Sequence, residues 1–287
     1  MWEPMSVEEY AALELACGNR HLKAGGVWWR RNKPFFYRPL FPFRPLPPEV
    51  QPPPLARLGG WQHAVNGNEP YDSHLNYLIL DNLPYYDPAR LKREDRKNLR
   101  RASRYLSFRR ITDLEEFATE GLRVLRDFFS RSSYRFRRDR LRPQVFRRWA
   151  AALLAEPRVF VLGAYGPSGL CEVHTSFRVE HVLIFDVAFA SREGRALRSS
   201  DGVLDHLRRL AAHSGADFVC LGSVGGKGTL DGFKLRRGAT ILSLPARLHL
   251  SPLAEAALRV ATPGIYRRLR GMDEEDALAY SAACPRA

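Results

Sequence analysis

The sequence predicts an α+β domain built on one mixed sheet. Three observations predict it. Three strand-like runs, VFVLGAYG, GLCEVHTSFRVE and HVLIFDVAFAS, follow one another with only short turns between them, the pattern of an antiparallel meander. On either side of that meander apolar residues recur at helical spacing: at 114, 117, 118, 122, 125, 128 and 129 before it, and at 203, 204, 207, 210 and 211 after it. The chain of 287 residues, 45% hydrophobic and 26% charged, is long enough to bury a full core.

Taken in order, residues Val7 to Ala16 read as a short amphipathic helix. Eight prolines then fall between Pro39 and Pro54, and proline blocks helices and removes backbone donors. This stretch is therefore extended, polyproline-like or a strand edge. Trp28, Trp29, Phe35, Phe36, Tyr37, Phe41 and Phe43 around it argue against disorder, which is aromatic-poor, so the region is expected to pack on the main domain. HLNYLILD reads as a strand, and DPARLKREDRKNLRRASRY as a strongly basic helix that begins near Pro88. SFRRI is a short strand. DLEEFATEGLRVLRDFFSR is a helix with Asp113 as N-cap, and a second helix runs from about Pro143 to Ala155. After the meander, a helix with Ser200 or Asp201 as its cap stops at Gly215. A buried strand entering a glycine turn, a short helix GTLDGFKLRRG and a last strand ATILSLPARLHL follow, and the tail from Ser251 is helical. This divides the chain into an N-terminal region (1–73), a central domain (74–250) and a helical tail (251–287).

The charge narrows the class of partner. The chain carries 45 Lys/Arg against 31 Asp/Glu, a formal +14, and the span Arg90–Arg148 alone holds 20 basic and 8 acidic residues, a net +12. Such a patch attracts polyanions such as RNA, an acidic carrier protein or a nucleotide-linked substrate. An arginine-rich composition that merely decorates solvated helix faces accounts for the same numbers. Cys17, Cys171, Cys220 and Cys284 lie far apart and form no CxxC pair, so neither a zinc site nor a disulfide framework is suggested. No apolar run is long enough to span a bilayer and no signal peptide is visible, so the expectation is a cytoplasmic protein with reduced thiols.

Two blocks carry a resemblance. REDRKNLRRASRY followed by SFRRITDLEEF is a basic helix, a strand and a helix. SDGVLDHLRRLAAHSGADFVCLGSVGGKGTLDGFKLRRGAT is a helix, a strand ending in a glycine turn, and then Phe233–Lys234 set between Gly228 and Gly238. Over residues 74 to 250 this resembles the GNAT-type N-acyltransferases, in particular their Fem-ligase and BioF2-like branch. The resemblance implies a mixed, largely antiparallel sheet flanked by helices. It implies metal-independent transfer of an acyl or aminoacyl group to an amine of a small or peptide-like acceptor. It also implies no tightly bound cofactor, the acyl donor (aminoacyl-tRNA, acyl-CoA or acyl carrier protein) being a cosubstrate. The chain departs from the acyl-CoA-binding members in one respect. Where they carry a glycine-bearing Q/R-x-x-G-x-G/A turn, it reads GRALRSSDG, with Arg195 in the first position and Arg198 in place of the first glycine. A phosphate cradle at the helix N-terminus near Gly202 would be crowded by side chains, which favours a large anionic donor.

Amine acylation requires loss of a proton from the nucleophile and stabilisation of a tetrahedral oxyanion. The resemblance makes Lys234 a catalytic candidate near the donor ester, with Phe233 as a pocket wall and Ser223 in the preceding turn. Asp186 lies mid-strand with apolar neighbours on both sides, where a carboxylate is costly unless paired or used, so it is expected to be buried near a cleft and to serve as general base. Glu172, His174, Ser176 and Arg178 alternate on one strand face, and His174 with Glu172 is the second base candidate. Arg100, Arg101 and Arg104 on the basic helix are the expected polyanion contacts. The competing class is a non-catalytic GNAT-like domain that holds RNA through its basic face.

Overall fold

A computed structural model describes residues 3–134, 137–225 and 228–270. In chain order the elements are α1 (Val7–Ala16), β1 (His21–Ala24), β2 (Val27–Lys33), β3 (Phe36–Pro39), β4 (Gly60–Ala64), β5 (Ser73–Leu80), α2 (Arg93–Tyr105), β6 (Ser107–Arg110) and α3 (Leu114–Glu116). They continue with α4 (Leu122–Arg131), α5 (Pro143–Ala155), β7 (Phe160–Gly166), β8 (Gly169–Val179), β9 (Val182–Ala190), α6 (Arg192–Leu197), α7 (Ser199–Ala211), β10 (Phe218–Ser223), α8 (Gly228–Arg236), β11 (Thr240–Leu250), α9 (Pro252–Ala261) and α10 (Pro263–Leu269). The class is the expected one: α+β, with largely antiparallel strands flanked by helices.

The described residues pack into two compact units, 3–18 with 80–222 and 19–79 with 223–270. The chain passes from one to the other after residues 18, 79 and 222. Among the described residues no helix is long and apolar enough to cross a membrane.

In the first unit the strand order is β10-β9-β8-β7-β6. β8 is buried over nearly its whole length, because both its faces are covered. On one face Ala102 of α2, Leu106 just after it and the α7 residue Val203 meet Leu162, Ala164 and Cys171. On the other, Tyr10 of α1 lies 5.3 Å from Phe177, and Trp149 of α5 lies 6.5 Å from Phe189. Local signals set the helix starts. Ser6 and Glu9 form a reciprocal capping box at α1, and Asp113 accepts the Glu116 N–H at 2.6 Å at α3. Between α3 and α4 the segment Phe117–Gly121 is wound as a π-helix and buries Phe117 against Phe146 and Trp149, 5.5 Å from each. α7 departs from expectation: neither Ser200 nor Asp201 caps it, and its N-cap is Arg198, left-handed at φ 65° with no side-chain cap bond.

In the second unit the strand order is β1-β2-β3-β4-β11-β5. The proline- and aromatic-rich stretch is part of this unit's core. Trp29 and Tyr37 are fully buried with Ala56, Pro39 ends β3, and Pro54 opens a one-turn 3-10 helix. β11 pairs antiparallel with both β4 and β5, its Ala246 opposite Ala64 on one side and Ser73 on the other.

Candidate active site

β9 lies between two neighbours that treat it differently. Its parallel register with β10 covers Val182–Ile184 against Phe218–Cys220, and β9 continues to Ala190 beyond it. On the other side Ser176 pairs with Phe185 and Thr175 with Val187, so Asp186 is the extra residue of a β-bulge. A bulge re-aims the side chain it carries. Asp186 is accordingly exposed, not buried as the apolar run around it suggests. The Thr175 hydroxyl lies 3.4 Å from Asp186 Oδ2 and also accepts the Val187 N–H at 3.2 Å, which ties the bulge to the core of β8.

The groups whose fields reach Asp186 are Cys17, just after α1, and Tyr134 and Arg140 in the link between α4 and α5. Arg140 is buried with its guanidinium 4.2 Å from the Trp149 ring centroid, and its Nε has no hydrogen-bond partner. Burial lowers its pKa, Arg137 lowers it further, and Asp186 opposes both. Arg137 donates to the Gly18 and Cys17 carbonyls, each at 3.3 Å. Burial pushes the Cys17 thiol up to about 12, with Glu14 and Asp186 adding to the effect, so it is a neutral thiol. Burial also raises the Tyr134 phenol. An exposed carboxylate with a guanidinium group in its field can accept a proton, and the cation favours developing negative charge nearby. The sequence reading missed Tyr134, Arg137, Arg140 and Thr175. The available signal was the basic run RSSYRFRRDR between two helices.

Glu172 and His174 lie elsewhere. They alternate with Thr175, so they occupy the opposite face of β8, beneath α7. The Glu172 carboxylate is fully buried and accepts hydrogen bonds from the Ser199 hydroxyl and, at 3.0 Å, from the Ser200 hydroxyl. Burial raises it to about 7 against the effect of those two hydroxyls. His174 is fully buried 4.1 Å from the Phe185 ring, and neither ring nitrogen has a hydrogen-bond partner. Burial lowers it to about 3, with a smaller opposing contribution from the Val187 backbone. The pair expected from spacing does not form. Arg178 donates to the Glu180 and Ser214 carbonyls.

Arg195 and Arg198 are exposed at the α6–α7 junction. The Asp201 and Gly202 N–H groups at the start of α7 are directed to the Arg198 carbonyl, at 3.0 and 3.4 Å. Gly202 serves packing: a Cβ there would lie 2.3 Å from Phe108 Cζ. Arg100, Arg101 and Arg104 are exposed along α2, with Arg104 5.4 Å from the Tyr105 ring centroid.

Ser223, Phe233 and Lys234 belong to the second unit. Ser223 is exposed, and Phe233 and Lys234 are half-buried on α8. The Phe233 ring is covered by the Arg237 guanidinium at 3.6 Å, while Gly238 at φ 84° closes the helix by sending the Ala239 N–H back to the Lys234 carbonyl. No cluster of three or more His, Cys, Asp or Glu side chains among the described residues could hold a metal ion.

No protein-family model matches the chain, and no curated protein matches it. Solved structures share its fold at low identity. The C-terminal domain of a putative lysylphosphatidylglycerol synthetase from Agrobacterium fabrum superposes with a TM-score of 0.56 at 12% identity, covering 88% of this chain and 90% of that one. L-PGS from Bacillus licheniformis gives 0.56 at 11% identity over 94% and 98%. FemX gives 0.50 at 10% identity over 64% of this chain, which spans 63% of the FemX chain. The chain shares its fold with these three structures.

Proposed function

We propose that this chain is a cytoplasmic, metal-independent acyltransferase that moves an acyl or aminoacyl group from a large anionic donor to an amine. The observation that carries the reading is the bulge of β9, which holds the exposed Asp186 carboxylate in the field of Arg140. The amine nitrogen attacks the carbonyl carbon of the donor ester or thioester and yields its proton to Asp186. The guanidinium charge favours the tetrahedral oxyanion. Collapse forms the amide bond and expels the donor hydroxyl or thiol, which takes up a proton. Lys234, in the second unit, is a separate candidate on the strength of its Phe-Lys motif alone.

Two features favour aminoacyl-tRNA or acyl carrier protein over acyl-CoA as donor. The exposed Arg198 side chain stands at the N-cap of α7, where the acyl-CoA-binding turn has its first glycine, and would crowd a pyrophosphate there. The α2 arginines are exposed and carry no ion pair among the described residues, so they are available to a polyanion.

The test is transfer of a labelled acyl group by the purified chain from each of the three donors to a panel of small and peptide amines. Asp186→Asn is expected to lower kcat by about 100-fold or more, the scale of a general base. Wild-type turnover in that variant would remove Asp186. RNA binding without transfer from any donor would favour the non-catalytic reading.

A further inference from the structure

β4 and β11 set four chemically active side chains on one face of the second unit. Trp61 pairs with His249 and His63 with Arg247 across the antiparallel register, so all four share a face. The His249 imidazole stacks on the Trp61 indole, with 4.3 Å between centroids and 10° between planes. The His63 ring lies parallel to it at 6.0 Å. These contacts hold the His249 ring in one plane. Beside it lies a cavity of about 310 Å³, lined by Pro70, Tyr71, Asp72, Arg247, Leu248 and His249. That volume suits a small ligand.

Two of the lining groups have hydrogen-bonding capacity to spare. Arg247 Nε donates to the Pro70 carbonyl at 3.1 Å, and neither Nη has a partner among the described residues. His249 Nε2 is buried without a partner, so Nδ1 is the ring nitrogen left to face the cavity. Burial lowers the His249 pKa, so the ring is neutral at pH 7 and donates a single N–H. The one lining carboxylate does not answer the Arg247 charge. Asp72 accepts the Leu248 N–H at 2.9 Å and pairs with the Arg270 guanidinium. Glu255, the other carboxylate on Arg270, is paired with Arg259 as well. The cavity is therefore left with one cation in excess. A guanidinium with both Nη groups open matches two oxygens of a phosphoryl group. An imidazole N–H two residues along the same strand face is placed for the third. We propose that this cavity binds the phosphoryl group of a small phosphate monoester, held by the Arg247 guanidinium and the His249 imidazole, with Pro70 and Tyr71 against its organic part. The Trp61 stack fixes the imidazole before the ligand arrives. The site lies within one unit and is independent of the acyl-transfer reading.

Phenyl phosphate and phenylacetate present the same ring with a phosphoryl group or a carboxylate. Each is titrated into the full-length protein by calorimetry, with thermal shift as a second readout. Phenyl phosphate is expected to bind with a Kd of about 1 mM or tighter, and phenylacetate at least about threefold more weakly. Arg247→Gln is expected to weaken phenyl phosphate at least about tenfold, the scale of a charge-assisted bond. His249→Phe keeps a ring to stack on Trp61 and removes a buried unpaired nitrogen, so it folds even where Arg247→Gln does not. It is expected to weaken phenyl phosphate about two- to tenfold, the scale of one hydrogen bond. Wild-type affinity in Arg247→Gln or in His249→Phe would place the bound anion elsewhere on this basic protein and overturn the assignment. Phenylacetate binding as tightly as phenyl phosphate, or no saturable binding at about 20 mM phenyl phosphate, would overturn it too.

Discussion

Glu172 and His174 sit two residues apart on one buried face of β8, and burial moves them in opposite directions. Glu172 is raised from 4.5 to about 7, so the folded state binds its proton more tightly than the unfolded chain does. Its stabilising contribution is therefore complete below about pH 4.5 and is lost as pH rises through about 7. His174 is lowered from 6.5 to about 3, so the unfolded chain is the better proton acceptor, and stability falls as pH drops below 6.5. The two slopes oppose each other between pH 4.5 and 6.5, so the wild-type profile alone is uninformative and the variants carry the test. Relative to wild type, Glu172→Gln, which keeps an acceptor for Ser199 and Ser200, should gain stability as pH rises from 4.5 to 7. His174→Phe should gain it as pH falls below 6.5. Chemical denaturation across pH 4 to 8 checks both, and parallel wild-type and Glu172→Gln profiles would contradict the burial argument. This behaviour was not legible in the sequence, where both residues read as cleft or surface groups. Asp186 failed in the converse way. Its apolar neighbours implied burial, but exposure follows from a bulge, and a bulge depends on the register of the partner strand, which one strand's sequence does not contain.

Elements were more legible than residues wherever their signals are local. α1 and α5 occupy the predicted spans and Asp113 caps its helix, whereas α7 ends at Ala211 with Ala212 as its C-cap, before Gly215. The proline-rich stretch was less legible, because proline content says what it cannot be, while its strand pairing is set by neighbours. Gly202 shows the same limit. In sequence it looks like part of a phosphate turn, and in the fold it lets α7 approach the Phe108 ring. Gly202→Ala would set a Cβ 2.3 Å from Phe108 Cζ, so the helix or the ring must move. The expected cost is about 1–3 kcal/mol, the range of overpacked cores. Gly67→Ala is the matched control: its added Cβ meets nothing within 4 Å, and the change should alter stability by no more than about 0.5 kcal/mol. Urea denaturation of the two variants measures both, and equal midpoints would refute the packing role of Gly202.

For the whole molecule, the sequence could not reveal that residues 19–79 and 223–270 form one unit, because the pairing of Ala246 with Ala64 and Ser73 joins segments far apart in the chain. Charge, by contrast, survives as a whole-molecule property however the chain is wound. The formal +14 is concentrated in the span that contains α2, and Arg100, Arg101 and Arg104 stay exposed there, whereas Arg109, Arg123, Arg131 and Arg147 are paired with carboxylates. If the α2 face holds the donor, affinity for tRNA should fall with salt with a log-log slope of roughly −0.7 to −0.9 per phosphate contact. Changing the three α2 arginines to alanine should flatten that slope by about the number of contacts removed. The fold should survive, because exposed substitutions of this kind cost no more than about 0.5 kcal/mol each. Acyl carrier protein would respond to salt and to these variants in the same direction, so the slope does not identify the polyanion. Competition does: uncharged tRNA inhibits turnover only when the donor is aminoacyl-tRNA. Salt-independent binding of every polyanion, or unchanged binding and turnover in the triple variant, would reduce the basic face to arginine-rich composition on a solvated helix.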